Sequence, residues 1–212
     1  MTIAEKVAQS LLDIQAVSLS PQEPFIWASG LKSPIYCDNR ITISVPDVRT
    51  QIANGLADLI KEKYPDVEVI AGTATAGIPH AAFISQVMNL PMIYIRGKAK
   101  DHGKGNQIEG RIQKGQKIVL VEDLISTGGS VIEAAQAAER EGAVVLGCVA
   151  IFSYELQKGK DNFAASGYRI DTLSNYTTLL NVAHDTKAIT EDELTLLQSW
   201  SNDPQAWSDA IK

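Results

Sequence analysis

Several things that would classify this chain quickly are scarce in it. Basic charge is not in excess: 19 Lys and Arg stand against 25 Asp and Glu in 212 residues, a formal net charge of −6. Affinity for a generic polyanion draws on excess basic charge that displaces counterions, so no nucleic-acid surface is expected. Cysteine is almost missing. Cys37 and Cys148 are the only two, neither has a companion at metal-ligand spacing, and a reducing, cytoplasmic setting is expected. No apolar run approaches the roughly 20 residues of a membrane span. The opening MTIAEKVAQSLLDIQAV interrupts its apolar pattern with acidic and amide residues, which speaks against a signal peptide. Internal repeats, low-complexity tracts and polar linkers are absent. Two nucleotide motifs also fail: residues 72–77 have a G-x-x-x-x-G frame, but Ile78 and Pro79 stand where Lys and Ser or Thr are required, and no G-x-G-x-x-G follows the first β-like run.

What is present is ordinary globular material, 45% hydrophobic and 21% charged, which argues for a packed core and against disorder. Ile3, Val7, Leu11 and Ile14 predict an opening amphipathic helix. Pro21, Pro24, Gly30 and Pro34 then punctuate short β-type runs. Val48, Ile52, Leu56, Leu59 and Ile60 predict a second helix ended by Pro65. From there apolar runs at 67–72, 91–95, 117–123, 143–152 and 168–173 are separated mostly by helix-like stretches. Continuous apolar strands imply burial on both faces, hence an α/β fold with a mostly parallel central sheet flanked by helices. The first 40 or so residues do not fit the alternation and are expected to lie over one end of the sheet. Ligands gather at the carboxyl ends of such strands, so the loops after the runs are where a site is expected.

The third of these loops is the most informative. Ile118 to Val121 read as a buried strand, Glu122 and Asp123 arrive at its end, and Ser126, Thr127, Gly128, Gly129 and Ser130 lead into a helix. Small residues let backbone N–H groups converge on one point, and the helix adds its positive end, which suits a phosphate without lysine. Adjacent carboxylates accept only, which suits a vicinal diol such as that of ribose. The plain alternative is a strand–turn–helix junction with a serine or threonine as N-cap and an acidic pair facing solvent. Further on, 96–104 hold Arg96, Lys98, Lys100 and Lys104 against Asp101, a local +3 that leaves −9 for the rest. It lies in about twenty residues without hydrophobic period, a gap that is functional or disordered in a compact domain. His80 and His184 read as structural or surface groups, and Trp27, Trp200 and Trp207 as packing residues.

The run from 118 to 131 resembles, in order, the phosphoribosyl-diphosphate signature of the type I phosphoribosyltransferases: four apolar residues, two acidic, then a small-residue loop. R-G-K-A-K-D-H-G at 96–103 with the following N-Q-I-E-G, S-G-L-K-S-P at 29–34, and T-A-T-A-G-I-P-H at 73–80 resemble the orotate phosphoribosyltransferases in particular. The resemblance implies a type I phosphoribosyltransferase fold over 1–212, with about 1–45 forming a hood over the base. It implies transfer of ribose 5-phosphate from phosphoribosyl diphosphate to orotate, with Mg2+ carried mainly by the diphosphate. It implies a homodimer with active sites shared between subunits.

Carried over residue by residue, the resemblance gives phosphoribosyl diphosphate to Arg96, Lys100, His102, Glu122, Asp123, Leu124, Ile125, Ser126, Thr127, Gly128, Gly129 and Ser130. Lys100 and Asp123 are the expected catalytic residues. Ser126 and Tyr36 are expected to contact orotate, with Lys32 nearby as a partner of the fold or of the substrate. No protein metal ligand is expected. The family often holds a cis non-proline peptide in the second loop, which places one near Ala74 and Thr75. One branch has Lys in place of Ala28, Ala76 and Gly97, and Arg near Tyr154; this chain keeps K-D-H-G and E-D-L-I-S-T-G-G-S and so resembles another branch. A purine or uracil transferase would share 118–131 without K-A-K-D-H-G, and a nucleic-acid-binding regulator on the same fold would need a basic face.

Overall fold

The computed structural model describes residues 1–27, 29–97 and 107–211. Helix α1 (Ile3–Asp13) starts at Thr2, whose hydroxyl accepts from the Glu5 N–H while the Glu5 carboxylate accepts from the Thr2 N–H. This reciprocal cap satisfies two otherwise orphaned donors, and Val7, Ala8 and Leu11 form the buried face. The proline-punctuated stretch gives β1 (Val17–Leu19), β2 (Phe25–Ile26), β3 (Lys32–Ser33) and β4 (Ile35–Cys37), paired antiparallel as β1 with β4 and β2 with β3. A 3-10 turn (Asn39–Ser44) follows, then α2 (Pro46–Lys63), whose first residue is proline because the N–H it lacks has no partner at a helix start.

The alternation follows as β5 (Val69–Thr73), α3 (Gly77–Met88), β6 (Met92–Ile95), β7 (Ile108–Glu109), β8 (Lys117–Ile125), α4 (Gly129–Arg140), β9 (Val144–Ser153), α5 (Gln157–Ser166) and β10 (Ile170–Asn175). Helices α6 (Tyr176–Asp185), α7 (Glu191–Asn202) and α8 (Pro204–Ala210) complete the described chain. The sheet order is β10-β9-β8-β5-β6-β7, parallel except for β7 on β6. This is the helix-flanked, mostly parallel sheet expected from the apolar runs. From β5 the chain proceeds to β6 on one side, while β8, β9 and β10 build out on the other. The crevice at the carboxyl ends of β5 and β8 is therefore the topological switch point, where such sheets bind ligands. Alternate strand residues sort onto the two faces: Ile70, Val119 and Val121 pack with α1, α2, α3 and α6, while Val69, Ala71, Ile118 and Leu120 pack with α4.

Two features differ from the sequence-based expectation. The stretch after Ile95 contains an edge strand, β7, which at two residues is too short to carry a hydrophobic period. And β8 does not stop at the acidic pair. It runs on to Ile125 because β9 keeps pairing with it, Leu124 with Phe152 and Ile125 with Ser153, whereas β5 pairs with it only as far as Gly72 with Val121.

The N-terminal hairpins are fastened to the end of the chain. Trp27 stacks on Tyr154 at 5.5 Å between centroids and meets Trp200 edge-on at 5.9 Å; Tyr154 and Tyr176 close the cluster around Trp200. The Lys32 N–H donates to Ser208 Oγ at 2.9 Å, and the Lys32 ammonium donates to the Ile211 carbonyl. Among the described residues no helix is long and apolar enough to cross a membrane. Trp200 is fully buried although its indole N–H has no partner, so packing there outweighs an orphaned donor worth about 1–3 kcal/mol. Trp200→Ala is expected to cost about 3–5 kcal/mol in chemical denaturation, as for other large buried aromatics, and to shift the Trp27 emission to longer wavelength as the hairpins loosen.

Candidate active site

The loop after β8 is built to leave amide groups unspent. The N-cap of α4 is Gly128, at φ 75, and no side chain caps the helix. The hydroxyls of Ser126, Thr127 and Ser130 are therefore not consumed as N-caps of this helix. Any Cβ at Gly128 would meet the Phe163 ring at 2.5 Å, and one at Gly159 would lie 2.7 Å from the Ser126 carbonyl. Glycine at these two positions lets α5 support the loop from beneath. Asn162 Nδ2 donates to the Thr127 carbonyl at 2.9 Å, and the Tyr154 N–H donates to the Ile125 carbonyl at 3.0 Å. The resulting cradle is a cavity of about 100 Å³ lined by Glu122, Leu124, Ile125, Ser126, Thr127 and the first residues of α4. Its size and open N–H groups suit one phosphate.

Glu122 and Asp123 lie within β8, one residue past its pairing with β5. Glu122 is 9% exposed, and its Oε1 accepts from the Asp123 N–H at 3.0 Å. Burial above all, then the hydrogen bond and charge of Asp123, push the Glu122 carboxyl up to about 9. The charged form of the Glu122 carboxyl is disfavoured in this partly dry site. On the other face, Asn39 is buried and its Nδ2 donates to the Asp123 carbonyl at 2.7 Å, while the Cys37 thiol donates to Asn39 Oδ1 at 3.3 Å. Burial, then Asp123 and Asp38, hold that thiol well above its ordinary value. The strand β4 and the 3-10 turn thus stand directly over Asp123. His80, 1% exposed on α3, also faces Asp123; burial lowers its pKa against the pull of that carboxylate, and its Nε2 has no partner.

The turn between β5 and α3 holds a cis peptide at Ala74-Thr75, where the resemblance places it. Gly77 begins α3 against β8: a Cβ there would lie 2.2 Å from the Val121 carbonyl, so no other residue fits. Arg96 closes the base of the basic segment. Its N–H donates to the Gln107 carbonyl at 2.9 Å, Gln107 Nε2 donates back to the Arg96 carbonyl at 3.0 Å, and its guanidinium meets Glu109 at 3.4 Å. Lys100 and His102 lie outside the described residues, as do Lys98 and Ala28.

Ser126 lines the cradle and also a larger cavity of about 590 Å³ bounded by Trp27, Ser29, Leu31, Leu156, Lys158 and Pro204, among others. Tyr36 is 46% exposed and rests against Phe25 at 5.7 Å, while Lys32 is engaged with α8 and Ile211. Neither residue lines these two cavities. Asn39 and Asn162 went unnoticed in the sequence, since their bonds span 84 and 35 residues and leave no local pattern.

A phosphate-sized cradle beside a buried Glu122 and a half-buried Asp123 thus lies at the switch point of a parallel sheet. Residues 48–185 match the phosphoribosyl transferase domain family, and the chain belongs to that family. Similarity to individual proteins narrows the class. An orotate phosphoribosyltransferase of Enterococcus faecalis is 65% identical over 205 residues, 97% of this chain and 98% of that one. One from Streptococcus thermophilus is 62% identical over 99% of this chain and 100% of its own. Among solved structures, Leishmania donovani UMP synthase superposes with a TM-score of 0.79 at 27% identity, covering 93% of this chain and 42% of the larger protein. Within the phosphoribosyltransferases, then, the chain is a member of the orotate phosphoribosyltransferases.

The raised Glu122 carboxyl has a measurable consequence. Glu122 keeps its proton when folded at pH values where the unfolded chain has released it, so its contribution to stability is full below about 4.5 and is lost as pH rises through about 9. Glu122→Gln stays neutral throughout. The melting temperature of the native chain relative to Glu122→Gln is expected to fall steadily from about pH 5 to about pH 9; a difference that does not vary with pH would mean that the carboxyl is ionised across the range.

Proposed function

We propose that the family's reaction, transfer of the phosphoribosyl group of 5-phospho-α-D-ribose 1-diphosphate to orotate with release of diphosphate in pyrimidine synthesis, takes place in the crevice above β5 and β8. The observation that carries this reading is the uncapped start of α4 facing a phosphate-sized cavity beside Glu122 and Asp123. The 5-phosphate is bound by backbone amides and hydroxyls of Ser126, Thr127, Gly128, Gly129 and Ser130, with Leu124 and Ile125 leading into the cradle. Asp123 and Glu122 accept from the ribose hydroxyls. Orotate lies against Ser126 under a hood formed by about 1–45, with Tyr36 and Lys32 as its further expected neighbours and the rest of 1–212 as one transferase domain.

The orotate nitrogen attacks the anomeric carbon as diphosphate leaves, and the ribose passes through an oxocarbenium-like state. Preorganised cations aimed at the departing charge lower that barrier, a task assigned to Arg96, Lys100 and His102. Two adjacent carboxylates and a substrate rich in phosphate oxygens are a donor set that suits a hydrated Mg2+. When bound, such an ion, carried mainly by the diphosphate, would supply charge neutralisation on the leaving group. The catalytic lysine is supplied by the second subunit of a cytoplasmic homodimer.

Three outcomes test this reading. With a panel of bases, diphosphate release is expected with orotate and not with adenine, hypoxanthine or uracil; turnover of a purine instead would overturn the assignment. Lys100→Ala is expected to lower kcat by about 100- to 1000-fold, the size of effect seen when one charge-stabilising donor is removed. Its stability should change by less than about 0.5 kcal/mol, because the base of that segment is already closed by Arg96 and Gln107. Mixed dimers of Lys100→Ala and Asp123→Asn subunits contain one site with both native residues if the lysine crosses over, so exchange should restore about a quarter of native activity in a symmetric dimer. No recovery after confirmed exchange would count against shared sites.

A further inference from the structure

Three buried side-chain atoms among the described residues lack a hydrogen-bond partner: Trp200 Nε1, His80 Nε2 and Thr73 Oγ1. The first is explained by the packing of its ring. The last is harder to explain as packing, because an unsatisfied buried hydroxyl costs about 1–3 kcal/mol and a valine of the same shape would avoid that cost. Thr73 is 3% exposed and is the final residue of β5.

Strand register says what it stands beside. Ala71 is level with Leu120 and Gly72 with Val121, so the next residues along the two parallel strands are Thr73 and Glu122. Alternation puts both on the face that carries Val69, Ala71, Ile118 and Leu120, the face covered by α4. Glu122 lines the phosphate cradle from that same face. An orphaned hydroxyl therefore ends β5 one residue past its last pairing with β8, level in register with Glu122.

We propose that Thr73 is a positioning residue for the acidic pair: its hydroxyl acts with the Asp123 N–H as the second donor that holds the Glu122 carboxylate turned toward the sugar hydroxyls. The inference rests on the reading of Glu122 and Asp123 as acceptors for the ribose. A carboxylate offers about four lone-pair positions. Two protein donors fix its rotation and leave the remainder for the vicinal hydroxyls. The hydroxyl without a partner here gains one at a Glu122 carboxyl oxygen when the sugar is bound, which recovers the cost of burying it unpaired.

The test compares the native chain with Thr73→Val and Thr73→Ser by calorimetric titration of phosphoribosyl diphosphate with Mg2+, by steady-state kinetics and by thermal melting. Thr73→Val is expected to melt at or above the native temperature, since an unsatisfied group is removed. Its Kd and KM for the sugar diphosphate should rise about tenfold, equivalent to about 1.4 kcal/mol, with the KM for orotate unchanged. Thr73→Ser keeps the donor and should restore affinity to within about twofold of native, well under 1 kcal/mol. Native affinity in Thr73→Val would overturn the proposal, as would equal losses in the serine and valine variants, which would point to the methyl group. If valine prevents folding, Thr73→Ala against Thr73→Ser makes the same comparison. A native chain that does not bind the sugar diphosphate at all would overturn both this inference and the reading of the site, which separates the two failures.

Discussion

The catalytic end of this molecule depends on β5 leaving the sheet before β8 does. Pairing between them ends at Gly72 and Val121, while β9 carries β8 on to Ile125. Had β5 continued, Glu122 and Asp123 would be ordinary strand residues hydrogen-bonded between two neighbours. Its departure opens one side of the strand. The gap is taken by the turn holding the cis peptide and by Gly77, which approaches the Val121 carbonyl too closely for any side chain. A strand end, a tight turn and a helix start are thereby brought to one crevice, and the acidic pair becomes its floor.

This arrangement also explains how an acidic chain can serve a polyanionic sugar. Two unit charges about 4 Å apart at an effective dielectric near 20 repel by roughly 4 kcal/mol, so a fully ionised pair would oppose both folding and the approach of a diphosphate. Burial of Glu122 beside Asp123 raises its carboxyl and so disfavours a second full negative charge in the crevice. The cradle needs no lysine, because the amides at the start of α4 are uncapped and aligned. Arg40, a cation near the site, is bound to Asp38 at 2.6 Å, so its charge is largely neutralised. The formal −6 thus describes the surface as a whole and says little about the field in the crevice.

Much of this was legible from residues alone. Strands with continuous apolar runs announce burial on both faces, and all five runs became strands of the central sheet within two or three residues. The small-residue loop after β8 was legible because its chemistry is local: consecutive N–H groups need consecutive small residues. The order of the strands was not legible, since nothing in the sequence of β5 states that β8 will lie beside it. The extension of β8 past the acidic pair depends on pairing with Phe152 and Ser153, and that long-range partner decides where the strand ends. Asn39 escaped for the same reason. So did the two-residue β7, whose partner is β6 rather than any pattern of its own.

The division between local and long-range information coincides with a division of labour. Thr73, Glu122 and the loop 126–130 all fall within 48–185, the stretch matched by the general phosphoribosyl transferase family. The walls of the larger cavity come largely from outside it: Trp27, Ser29 and Leu31 before, and Asn202, Asp203, Pro204 and Gln205 after. These outer segments are held together by Trp27 on Trp200 and by Lys32 on Ser208 and Ile211. Ser126 lines both cavities and joins the two parts. A cavity assembled from both flanks of the shared core can change its shape without disturbing the ends of β5 and β8 inside that core.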